Sequence, residues 1–99
     1  MSGDQSLERM LASSEVLQKD LLRFISQSRE FVVKLKASVN RLEKDGLPRE
    51  MVKKFREKHV TEITRYLNGL TEFLEKDTLK YTKEVQLALE ESLRIVKSN

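Results

Sequence analysis

The only histidine is the first place to look for chemistry. His59 is followed three residues on by Glu62, and on a helix such a pair occupies adjacent faces. A carboxylate di-metal site wants the order Glu-x-x-His, with further Glu residues on facing helices, but position 56 is Arg. His59 also falls in apolar register between Phe55 and Ile63. It therefore reads as a histidine of a helix seam or its rim, a ligand or pH-sensitive contact being the alternative. With no Cys in the chain, thiol catalysis, disulfides and thiolate zinc sites drop out. No Ser-His-acid order and no Gly-rich phosphate loop stands in the sequence. The expectation is a non-enzyme with no metal and no cofactor.

Two clusters remain. Arg49, Lys53, Lys54, Arg56 and Lys58 form a basic patch whose only acids are Glu50 and Glu57. Its local excess of three equals the net charge of +3 for the whole chain, so the charge belongs to one stretch. The patch reads as a solvated helix face, with an acidic protein, nucleic acid or anionic lipid as alternatives. The aromatics lie in the apolar register and do not interleave with the basic residues, which weighs against nucleic acid. Positive charge near a helix N-terminus is mildly unfavourable, which suggests something acidic opposite. The second cluster is Phe73 and Asp77, four apart and so on one helix face, where a receptor could read ring and carboxylate together.

The elements that must hold these residues follow from spacing. The 99 residues include 3 Gly and 1 Pro, which leaves few places to turn. From Leu7 to Leu42 apolar residues recur at steps of three and four: Met10, Leu17, Leu21, Phe24, Phe31, Leu35 and Leu42. Ser14, Ser28 and Ser38 share that register, while Leu11, Ile25, Val32 and Val39 widen it. This predicts one helix over about residues 5–44, after a short polar tail, with a face as broad as a bundle helix needs. Asp45-Gly46-Leu47-Pro48 predicts the turn: Gly46 suits a left-handed helix end, Pro48 the first turn of the next helix, and Leu47 cannot comfortably be helical before Pro. A second helix is predicted over about 48–96, with a frayed end. Asn68-Gly69 is a turn signal in isolation, but the apolar register continues from Ile63 through Leu70 to Leu74. A continuous or kinked helix is the favoured reading; a third helix capped by Thr71 is the alternative.

The fold class is therefore all-α, a single helical-hairpin domain. One hairpin has one mutual interface, which cannot cover stripes this wide, so a four-helix bundle by homo- or hetero-dimerisation is expected. The longest apolar run is three residues, far short of the ~20 that span a membrane. Residues 1–6 carry no leader signature. The expected location is cytoplasmic, or outside the cell by a route without a cleavable leader.

In layout the whole chain resembles the small helical-hairpin proteins of the type VII secretion system, the WXG/ESAT-like superfamily, and in particular the small partner proteins of LXG effectors. Those proteins place two helices around a central Gly-containing turn, typically Trp-x-Gly. Gly46 matches the glycine and Lys44 stands at the Trp position. His59 falls where some members carry an aromatic. The usual Tyr-x-x-x-Asp/Glu tail signal is absent, since Tyr66 and Tyr81 are followed at the fourth position by Leu70 and Val85. Phe73 and Asp77 supply a Phe-x-x-x-Asp variant. The resemblance implies a chaperone-like targeting factor that binds the helical N-terminal LXG domain of an effector and helps export it, with Phe73 and Asp77 in a composite export signal. Its partner-binding face would be the exposed remainder of the stripe, Phe24, Ile25, Phe31, Val32, Val39, Phe55, Ile63, Leu67 and Leu70. The alternatives are a homodimeric bundle adaptor or small secretion chaperone of another pathway, in which these residues form the dimer core, and a nucleic-acid-associated protein.

Overall fold

Gly46 is where the chain reverses in the computed structural model, which describes residues 2–98. Helix α1 (Ser2–Lys44) ends there, with Gly46 at φ +94°. The Gly46 N–H donates to the Glu43 carbonyl and the Leu47 N–H to the Leu42 carbonyl, both at 3.2 Å. This is a Schellman motif, in which left-handed backbone brings two donors back onto orphan helix carbonyls. Pro48 follows with extended ψ of 133°, so it caps the next helix from outside, where the first helical turn was expected. Its carbonyl accepts the Val52 N–H at 3.1 Å.

The second arm consists of α2 (Arg49–Phe55), a π-helical turn at Arg56–Val60, α3 (Thr61–Phe73), a second π turn at Leu74–Thr78, and α4 (Leu79–Ser98). Among the described residues there is no strand, and the fold is an all-α helical hairpin. Gly69 lies inside α3 without a break. Thr71 is no cap: it is buried, and its hydroxyl donates to the Asn68 carbonyl at 3.1 Å. The irregularities fall at the π turns, where the Thr61 N–H reaches back five residues to Arg56 and the Leu79 N–H five to Leu74.

Helix reaches both ends of the described residues. The polar start is helical from Ser2, with Asp4 in the first turn, where negative charge is favoured. Asp4 Oδ1 accepts the Gln5 N–H at 2.9 Å. At the other end, Lys97 is held by Glu8 at 3.0 Å and the Ser98 hydroxyl donates to Ile95 at 3.0 Å. Asn99 lies outside the described residues, as does Met1.

The hairpin divides into two compact units, Met1–Phe24 with Phe73–Asn99, and Ile25–Glu72. Each pairs α1 antiparallel to the second arm. In Ile25–Glu72, α1 lays down Ile25, Ser28, Val32, Leu35, Val39 and Leu42 at alternating steps of three and four, all buried or half-buried. Val39, Val52 and Val60 form its centre, with Leu35 and Leu42 packed against them. In the other unit the row is Leu7, Leu11, Ser14, Gln18 and Leu21, facing Leu79, Thr82, Gln86 and Leu89. Its middle is polar: the Ser14 hydroxyl donates to the Thr82 carbonyl at 3.5 Å, Gln18 Nε2 donates to Gln86 Oε1, and Gln86 Nε2 to Glu90 at 2.9 Å. Ser14 and Ser28 are thus seam residues, while Ser38 is exposed.

Candidate functional site

Every aromatic side chain is on the surface: Phe24, Phe31, Phe55, Phe73, Tyr66 and Tyr81 are 40–65% exposed. Helical spacing alone places the aromatics in the apolar register. The narrow seam instead takes Val, Leu, Ser and Thr, because two helices with small facing residues approach closely and leave the larger neighbours outside. The expected partner-binding face therefore splits. Ile25, Val32 and Val39 are buried in the intramolecular seam and are not available to a partner. Ile63, Leu67 and Leu70 are half-buried. Phe24, Phe31 and Phe55 stay exposed.

In the unit formed by Met1–Phe24 and Phe73–Asn99, Met10 and Leu17 on α1 face Tyr81 and Val85 on α4 across an open apolar groove of about 670 Å³. Spacing puts Met10 and Leu17 in the main stripe of α1, where they would be seam. The signal that separates them is the seven-residue step Met10, Leu17, Phe24, Phe31, which sits one position before the buried row of Leu11, Gln18, Ile25 and Val32 and marks its flank. Phe73 ends α3 and is 55% exposed; Asp77 is exposed within the π turn that follows. Both halves of the proposed Phe-x-x-x-Asp signal thus face solvent at an irregular turn of the helix.

In Ile25–Glu72 the two flanks of the seam differ in character. On one, Phe55, His59, Ile63 and Tyr66 line a hollow of about 380 Å³ with Leu35 and Glu62. The His59 ring lies 5.2 Å from that of Phe55, tilted by 53°, so His59 is a rim residue. Among the described residues no group of three His, Asp or Glu could hold a metal. The other flank is polar and cationic, with Lys36, Asn40, Arg56, Thr61, Thr64 and Arg65 around a groove of about 610 Å³.

The basic patch is less uniform than its composition. Arg56 is half-buried; its guanidinium donates to Asn40 Oδ1 at 3.0 Å and lies 3.7 Å from Glu43. Arg49 and Lys53 share a hollow with Glu43, Glu50 and Glu57, so acids interleave with these cations. Lys54 and Lys58 are exposed. On the outer face of α1, Glu30 and Lys34 meet at 2.9 Å, and the hydrogen bond and charge of Lys34 hold the Glu30 carboxyl below its ordinary pKa. Arg94 pairs with Glu91, while Glu90 is taken by Gln86.

No described helix is long and apolar enough to cross a membrane. No protein-family model, curated protein or solved structure matches the chain.

Proposed function

We propose that this protein is a non-enzymatic helical partner that binds the helical N-terminal domain of a type VII secretion LXG effector and contributes to its export. The observation that carries the helical-partner part is the exposure of all six aromatics on a hairpin whose own seam is filled by smaller residues. Aromatic side chains and Met concentrate at protein interfaces, where burying them supplies most of the binding energy. Rows of exposed apolar residues at helical spacing suit a helix laid alongside, each side chain acting as an anchor at i, i+3, i+4 or i+7. The layout around Gly46 and the Phe73/Asp77 pair supply the assignment to the secretion system. A second copy of the chain is the competing occupant of the same rows.

Co-expression with an LXG protein encoded next to this gene, followed by size exclusion with light scattering, tests the reading. A stable hetero-complex is expected, and Phe24→Ser with Phe31→Ser should dissolve it while leaving the buried seam intact. A homodimer from which no effector co-purifies would refute the targeting role. Phe73→Ala and Asp77→Ala should each abolish export of the effector without changing the circular dichroism spectrum; unchanged secretion removes the motif from the proposal.

A further inference from the structure

The cationic flank of Ile25–Glu72 plays no part in that reading, yet its chemistry is specific. Lys36 and Asn40 on α1 and Arg56, Thr61, Thr64 and Arg65 on the second arm surround a groove floored by Val39 and Val60, and no carboxylate is among the described residues that line it. Thr64 Oγ1 is buried there with no hydrogen-bond partner. The hydroxyls of Thr61 and Thr71 in the same unit donate to the carbonyls of Arg56 and Asn68, so Thr64 departs from its neighbours. A buried, unsatisfied hydroxyl is uncommon and asks for an acceptor. The Arg56–Glu43 contact is long at 3.7 Å and two-fifths exposed on both sides, which leaves that guanidinium open to a better-placed carboxylate.

We propose that this groove binds the carboxylates of an acidic helix presented by a partner protein. Arg56 and Arg65 are nine residues apart, roughly 13 Å along a helix at ~1.5 Å per residue. That is close to the span between acids seven or eight residues apart on one face of a docked helix. Nucleic acid fits less well. Duplex binding typically rests on ~6–10 phosphate contacts, against three cations here, and no aromatic lines the groove to stack a base. Rotation about χ1 would bring the buried Thr64 hydroxyl into the groove to donate to one carboxylate, and the valine floor would take the aliphatic part of the acidic side chains. The groove excludes Phe24, Phe31, Phe73 and Asp77, so its failure and failure of the effector complex are separate results.

The test is fluorescence anisotropy on the full chain with a labelled alanine-based helical peptide carrying Glu at positions seven and eight apart, and its Gln counterpart. The Glu peptide should bind about tenfold more tightly than the Gln peptide. The variant K36Q/R65Q, at two exposed positions, should cost about tenfold. T64V, which removes only the unmet hydroxyl, should weaken binding a few-fold with Tm unchanged or raised. K83Q, an exposed cation on α4, should bind as the parent does. Equal affinity for the two peptides, or parental affinity in K36Q/R65Q, overturns the proposal. So does a short RNA or DNA duplex that binds more tightly than the peptide and loses that binding in K36Q/R65Q. Inorganic phosphate binding in place of the peptide would also overturn it, by reassigning the groove to a small anion.

Discussion

At the residue scale, the two internal glycines make opposite demands on the backbone. A Cβ at Gly46 or Gly69 would meet nothing within 4 Å, so substitution at either is decided by conformation alone. Gly46 sits at φ +94°, where an L side chain costs roughly 1–2 kcal/mol. Gly69 is in the interior of α3, where glycine costs ~0.5–1 kcal/mol relative to alanine. Urea unfolding should therefore show G46A destabilised and G69A stabilised by those amounts, a sign difference that equal shifts would refute. Glu30 carries the other residue-level prediction. Its carboxyl is held low by Lys34, so this exposed pair supports α1 above the ordinary carboxylate range, and that support is lost as pH falls through the lowered value. NMR titration should find the Glu30 pKa moving up in Lys34→Gln, with neighbouring carboxyls unmoved.

At the element scale, the π turns are the feature that spacing alone concealed. Buried or half-buried positions step by four from Val52 to Arg56 to Val60, and again from Leu74 to Thr78 to Thr82. On a helix of about 3.6 residues per turn, two successive steps of four carry a row ~80° round the axis. The π turns at Arg56–Val60 and Leu74–Thr78 absorb the extra residue and keep the row facing α1. Deleting Glu57 would leave steps of four and three, which an unbroken α-helix accommodates, so the variant should melt within a few degrees of the parent. Deleting Glu62, equally exposed but in regular α3, rotates everything beyond it by about 100° and should unfold the protein, as read by thermal circular dichroism. The hairpin and its turn were legible because Gly46 and Pro48 stand together amid few other breakers. The seam was legible only in outline. Apolar spacing alone does not say which of two adjacent rows faces inward, and the choice fell to small residues: Ser14, Ser28 and Thr71 are buried while Phe31 and Phe73 are not. The cationic groove joins Lys36 and Arg65, 29 residues apart, which only the antiparallel pairing brings together; within the basic patch, spacing picked out Arg56 alone of the residues that line it.

At the scale of the whole molecule, burial is sparse. Among the described residues seven hydrophobic side chains are buried, against seventeen large ones exposed, and Val52 is the largest side chain fully excluded from solvent. A chain that leaves so much apolar surface uncovered draws less stability from its own core than its length allows, because hydrophobic stabilisation scales with the area removed from water. A partner that covers the surface binds the folded state alone, and mass action then raises the apparent stability: by about 2.7 kcal/mol when the partner is present at 100 times its Kd. For a domain of this size each kcal/mol moves Tm by roughly 4–8 °C, so under the proposed function a saturating effector domain should raise Tm by about 10–20 °C. The rise should grow with the logarithm of partner concentration, which separates binding from a non-specific additive effect. Phe31→Ser should shrink that rise while leaving the Tm of the isolated protein nearly unchanged, since its side chain is half-exposed without a partner. If the isolated protein loses as much Tm as the complex, Phe31 supports the hairpin itself and the apolar row is not a docking surface.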